Sequence, residues 1–268
     1  MTTHKQLLDH LFNDYQNINP SVKKIHRLFQ NENESIINDH IAFRTFNYPE
    51  INIDVLAKPF LERGYKETAN YRFEQKKLTA KHYEYSDDPS APKIFISQLE
   101  TQLLSQKSQD ILNKHVKSNL NQIPDREEIL TAGNIWEKPK YKIYESLLEE
   151  SEYAAWLYAI GFKVNHFTVL VNTLNNFESL EKVNSFLKQN GFPLNTSGGE
   201  IKGTPQEFLE QSSTLADMIE VEFYEGSYQI PSCYYEFARR YKMKNGSLFN
   251  GFIAKSADKI FESTNIKK

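Results

Sequence analysis

An imidazole and a guanidinium lie four residues apart in Asn38-Asp39-His40-Ile41-Ala42-Phe43-Arg44-Thr45-Phe46. The run predicts a β-strand, and side chains two and four apart on a strand share a face. His40, Ala42 and Arg44 therefore point one way, and Ile41, Phe43 and Thr45 the other. An imidazole can ligate a metal, and a fixed cation beside it can hold an anionic ligand. A second strand with Asn and His near its start follows much later, in Val164-Asn165-His166-Phe167-Thr168-Val169-Leu170-Val171.

A third ligand is expected from the last strand of the second half. Tyr234-Tyr235-Glu236-Phe237 offers one carboxylate, Glu236. Two imidazoles and a carboxylate leave coordination positions open, which suits non-haem Fe(II) binding a bidentate substrate together with O₂. Glu236 could instead pair with Arg239 or Arg240, and Glu220 and Glu222 compete for the ligand role from one strand earlier. Ser97, Gln98 and Glu100 stand where a fourth ligand could enter from the first half.

The elements that must position these residues recur in order. Apolar spacing predicts helices over 4–16 and 20–30, ahead of the His40 strand. A helix over 51–63 stops at Gly64, and strands follow at 65–68, 71–74, 81–85 and 93–99. After residue 160 comes the His166 strand and a helix over 177–190 ending at Gly191. Strands are then expected at 218–224 and 232–237. The pattern is β-α-β-β-β twice, each opened by a His-bearing strand. Two such modules can pack edge to edge and curl into an open barrel, with their first strands facing each other across a central cavity. Residues 102–120 and 144–160 read as helices of an insertion, and Glu149, Glu150 and Glu152 as its solvated acidic face. The expected organisation is one catalytic domain over 1–268, with module one at about 35–100, the insertion at about 101–160 and module two at about 161–268.

The composition narrows the class. The chain has 268 residues, 39% hydrophobic and 13% aromatic, enough for a substantial core. Net charge is −3 with no basic run, which disfavours nucleic acid as a partner. No apolar stretch is long enough to span a bilayer, and the N-terminus lacks the apolar core of a signal peptide. The expectation is a cytoplasmic protein. Its single cysteine, Cys233, excludes an internal disulfide framework and a multi-cysteine zinc site. His4, His10, His26 and His115 fall on expected helices and read as surface residues. His82 is a candidate neighbour of the site.

The run His40-Ile41-Ala42-Phe43-Arg44 resembles the His-x-x-x-Arg strand of the 2-oxoadipate dioxygenase/decarboxylase family. The same resemblance extends to Asn165-His166, Ile201-Lys202-Gly203-Thr204-Pro205, Leu209-Glu210-Gln211-Ser212-Ser213, Tyr234-Tyr235-Glu236-Phe237 and the tail at 256–264. It implies an α+β, vicinal-oxygen-chelate-like fold and Fe(II) held by His40, His166 and Glu236. It also implies Arg44 on a substrate carboxylate, in a chain shorter than the bacterial enzymes of the family. Gln211, Ser213 and Lys259 are further candidate substrate contacts, although 211–213 could equally form a helix end and cap.

The reaction implied is conversion of 2-oxoadipate and O₂ to 2-hydroxyglutarate and CO₂, as in lysine catabolism, with a small 2-oxo dicarboxylic acid as partner. The alternatives are a metal enzyme of the same fold acting on another 2-oxo acid, or a non-catalytic module that binds a small ligand.

Overall fold

The computed structural model describes residues 3–88, 90–117, 119, 123–124 and 126–253. Two helices open the chain, α1 (His4–Asn17) and α2 (Pro20–Asn31). Thr3 caps α1 with a reciprocal bond to Gln6, and Leu7, Leu11 and Tyr15 form its buried stripe. The helical spacing read from the sequence is thus the spacing that faces the core.

The first module then runs β1 (Asn38–Phe46), α3 (Ile53–Leu61), β2 (Tyr65–Phe73), β3 (Leu78–Tyr85) and β4 (Lys93–Leu99). An insertion carries α4 (Gln106–Lys117), α5 (Tyr141–Glu150) and α6 (Glu152–Ala159). The second module runs β5 (Val164–Leu170), α7 (Leu180–Gln189), β6 (Lys202–Thr204) and β7 (Leu209–Ser213). A hairpin of β8 (Met218–Phe223) and β9 (Gly226–Pro231) precedes β10 (Glu236–Arg240). The tail at 256–264, with Lys259, lies outside the described residues.

One eight-stranded sheet holds the order β2-β3-β4-β1-β5-β10-β7-β6, with β8-β9 as a separate two-stranded sheet. Each half has the same connectivity. Its first strand pairs in parallel with its last, β1 with β4 and β5 with β10. The sheet curls but does not close, since β2 and β6 form its two edges.

Three expectations are corrected here. The first strands do not face each other across a cavity: β1 and β5 are antiparallel, hydrogen-bonded neighbours, with Ala42 opposite His166. Pairing edge to edge satisfies backbone groups that a gap would leave bare. Residues 211–213 form part of a buried strand rather than a helix end. The strand expected at 218–224 lies outside the main sheet. There Glu220 and Glu222 are exposed, so neither competes for the site.

The insertion also departs from a continuous helix over 144–160. Ser151 sits in extended conformation and its hydroxyl accepts from the Ala154 amide, starting a new helix at Glu152. Where the insertion rejoins the sheet, Gly161 has φ +76 and its amide-flanked backbone lies directly against the Gly133 carbonyl. Any Cβ there would collide with backbone, so this close approach requires glycine.

Candidate metal centre

Two β-bulges build the site. Between β1 and β5 the register steps from Asn38–Val169 to His40–Thr168, and again from Ala42–His166 to Phe43–Val164. The extra residues are Asp39 on β1 and Asn165 on β5, each immediately before a histidine. In a regular strand, neighbours point to opposite faces. A bulge re-aims them. As a result Asp39 Oδ1 lies 2.7 Å from His40 Nδ1, and Asn165 Oδ1 lies 2.9 Å from His166 Nδ1.

With each Nδ1–H donated backwards, both Nε2 lone pairs are left facing forward. His40 Nε2 stands 3.5 Å from Glu236 Oε1, and His166 Nε2 stands 3.4 Å from Glu236 Oε2. The candidate ligand atoms of all three residues lie within 4.8 Å of one another, and all three side chains are buried. Glu236 enters from β10, in parallel register with Thr168 on β5. Thr168 Oγ1 lies 3.0 Å from His40 Nε2.

The electrostatics suit a bound cation. Burial pushes the Glu236 carboxyl above its usual range. Burial, then His40 and Arg44, holds His166 well below the usual imidazole range, which favours the neutral form able to ligate a metal. Glu236 Oε2 is buried and has no hydrogen-bond partner among the described residues. A buried carboxylate oxygen left this way is costly. A divalent ion among two imidazole nitrogens and this carboxylate would relieve that cost, and such a donor set fits a first-row transition metal with open positions.

The surrounding residues sort by what they touch. Gln211 Nε2 donates to Glu236 Oε1 at 2.6 Å, so it holds the carboxylate in place. Ser213 is buried opposite Glu236 across the β10–β7 ladder. Ser212 points to the other face and donates to Asn184 Oδ1 at 2.7 Å. Arg240 pairs with Asp39 through Nε and Nη2, at 2.6 and 2.8 Å, and not with Glu236. Burial would raise the Asp39 carboxyl, but this guanidinium and His40 hold it well below the usual range. Arg240 Nη1 also donates to the Phe249 and Gly251 carbonyls, which fastens the segment carrying Phe252 over His40.

Arg44 is buried on the same face as His40, with its partner on the insertion. Its Nη1 lies 2.7 Å from Glu152 Oε1, and its guanidinium stacks over Tyr153 and Trp156 at 4.9 and 5.2 Å. Glu152 is therefore not part of a solvated face. The helix break at Ser151 turns it inward onto β1. Glu150 is likewise engaged, accepting from Ser105 and Ser108. Ser97, opposite Arg44 in the β1–β4 ladder, bonds to Tyr153 at 3.0 Å, while Gln98 accepts from the Ile53 amide and Glu100 from Thr79.

Of the histidines expected at the surface, His10 is exposed and His4 half-buried, whereas His26 and His115 are packed inside. His26 is part-buried and bonds the Tyr235 hydroxyl at 2.7 Å. His115 is buried against Trp136 and Tyr158. His82 bonds Tyr71 and Glu84, with the Phe252 ring between it and His40. Cys233 is buried and bonds the Val164 carbonyl, away from the ligands.

Comparison with known proteins assigns the family. A family model described as 2-oxoadipate dioxygenase/decarboxylase matches residues 7–130 and 127–247. The chain belongs to the 2-oxoadipate dioxygenase/decarboxylase family. Two plant relatives carry that name: an Arabidopsis thaliana protein, 34% identical over 93% of this chain and 74% of its own, and an Oryza sativa protein, 36% identical over 93% and 75%. Both plant names add a plastid location, and no described helix of this family member is long and apolar enough to cross a membrane. The Oryza sativa hydroxyglutarate synthase, solved with 2-oxoadipate, superposes with TM-score 0.88 at 35% identity, covering 97% of this chain and 91% of its own. A Shewanella frigidimarina structure is 47% identical with TM-score 0.86, over 94% and 100%. A Ralstonia eutropha structure of the glyoxalase superfamily, 19% identical over 92% and 84%, has TM-score 0.73. The fold of this family member is thus the vicinal-oxygen-chelate type, two βαβββ modules in an open curled sheet.

Proposed function

We propose that this chain is an Fe(II)-dependent dioxygenase/decarboxylase that converts 2-oxoadipate and O₂ to 2-hydroxyglutarate and CO₂. The balance is simple: a six-carbon acid and O₂ become a five-carbon hydroxy acid and one CO₂. The single observation that carries the reading is the buried group of His40, His166 and Glu236, with an unpartnered carboxylate oxygen and Arg44 on the same sheet face. Iron bound there would supply a coordination site for the 2-oxo acid and O₂ and the redox chemistry between them.

The chain's own residues set the conditions for that chemistry. Asp39 and Asn165 fix both imidazoles with Nε2 forward, and Gln211 fixes the carboxylate. Arg44, stacked on Tyr153 and Trp156, holds the substrate's distal carboxylate. Glu152 already partners Arg44, so an incoming carboxylate shares the guanidinium rather than meeting an isolated charge. Gln211 and Ser213 act from β7, Gln211 through Glu236. The Phe252 ring, edge-on to His40, helps keep water from the reacting end.

Anaerobic titration with Fe(II), followed by 2-oxoadipate and then O₂, tests the proposal. About one iron per chain and oxygen uptake that needs 2-oxoadipate are expected, both lost in His40→Ala. Iron-loaded protein that consumes no oxygen with 2-oxoadipate would sink it.

A further inference from the structure

Tyr234 is a large polar side chain at the site whose hydroxyl is given no bond by the described residues. Its side chain is fully buried. Its hydroxyl has no hydrogen-bond partner among the described residues, although buried polar groups are overwhelmingly paired. The main chain at this position is well anchored, since the Tyr15 hydroxyl donates to the Tyr234 carbonyl. The ring is also fixed, lying 4.8 Å from the His166 ring at 25° between planes. A side chain held this firmly has not been left unpaired by looseness.

The direction of the phenol follows from the ladder. His40, Thr168 and Glu236 form one row across β1, β5 and β10, and Ala42 and His166 form the next. Tyr234, two residues before Glu236 and stacked on His166, extends that second row. Arg44, two residues beyond Ala42, lies one step further along the same face of β1. The charges of Glu236, Arg44 and Glu152 all act on the phenol. By this row order Tyr234 stands between the ligand carboxylate and Arg44, along the line a substrate would occupy if it reached from metal to guanidinium. Arg44 already gives Nη1 to Glu152, so an arriving carboxylate gains from a second, neutral donor.

We propose that the Tyr234 hydroxyl donates a hydrogen bond to the distal carboxylate of the bound 2-oxo dicarboxylic acid, the same carboxylate that Arg44 takes, and so helps select a dicarboxylate over a monocarboxylate. This rests on the reading of the site as a 2-oxoadipate site. The bond is made in ground and transition states alike, so it acts on binding more than on turnover.

The test is calorimetric binding of 2-oxoadipate and of 2-oxohexanoate, which lacks the distal carboxylate, to Fe(II)-loaded wild type and Tyr234→Phe under argon. Tyr234→Phe keeps the ring on His166 and removes only the unpaired oxygen. Its iron content should match wild type, and its Tm should be equal or higher. Its Kd for 2-oxoadipate should rise about 10- to 100-fold, the cost of a hydrogen bond to a charged group. Its Kd for 2-oxohexanoate should not change. An unchanged Kd for 2-oxoadipate, or an equal penalty on both acids, would overturn the proposal. So would a lower Tm or lost iron, which would mean that the hydroxyl has a structural partner. Wild type that fails to bind 2-oxoadipate at all would overturn the functional reading and this proposal with it, whereas the other results leave that reading standing.

Discussion

Asp39 and His40 are chain neighbours whose side chains meet on one side of a strand, Asp39 Oδ1 lying 2.7 Å from His40 Nδ1. The β-bulge at Asp39 makes this contact possible, and Arg240 locks it from the far side. Asp39→Asn should therefore weaken metal binding more than it disturbs the fold. A loss of about 10- to 100-fold in Fe(II) affinity is expected, the usual cost of removing a carboxylate behind a ligating histidine. Metal titration checks this, and unaltered affinity would mean that the carboxylate does not orient the ring.

Glu152 and Arg44 yield a second prediction. Removing the carboxylate leaves a buried guanidinium without its counter-charge, so Glu152→Ala should lose about 3 kcal/mol of stability. Substrate binding should move the other way. With Arg44 no longer neutralised, KM for 2-oxoadipate should fall in the milder Glu152→Gln. Urea unfolding and steady-state kinetics measure the two effects, and a raised KM would show that Glu152 positions Arg44 rather than competing for it.

Much of this site could be read from the residues alone, and the part that could not has physical causes. Two imidazoles at the heads of equivalent strands, and a carboxylate on the closing strand, are visible because strand order and alternation are local properties. Bulges are not. Alternation puts Asp39 opposite His40, and only the pairing with β5 reveals the extra residue that brings them together. Glu152 was hidden for a similar reason. Apolar spacing runs smoothly through 144–160, and the break depends on one capping hydroxyl at Ser151. The β8–β9 hairpin alternates as well as any strand of the main sheet, so its separate placement is a tertiary fact. Tyr234 is legible as part of the Tyr-Tyr-Glu-Phe run, but a hydroxyl without a partner is a property of three-dimensional packing.

Stability should depend on pH through two histidines outside the candidate ligand set, His26 and His115. Burial lowers His26 and His115 from 6.5 to about 4 in the folded chain. Between those values the unfolded chain binds more protons than the folded one, so stability rises with pH. It should be full above about pH 6.5 and decline as pH falls towards about 4. Urea midpoints at a series of pH values would show this slope, and His115→Phe should flatten it. A slope unchanged by that substitution would mean that His115 does not carry it.

Cys233 should be inert in the native protein. It is fully buried, and burial pushes its thiol above the usual range, leaving little thiolate to react. A thiol reagent should label it only as fast as the chain unfolds. Rapid labelling without denaturant would contradict its placement beneath β5.

The most direct measurement of the central claim is the stoichiometry of a single anaerobic-to-aerobic turnover experiment on iron-loaded protein. Oxygen consumed, 2-oxoadipate lost and CO₂ released should be equimolar, with a five-carbon hydroxy acid as product, and all should vanish in folded Glu236→Ala and His166→Ala. CO₂ release without oxygen uptake, or turnover that survives loss of Glu236, would contradict it.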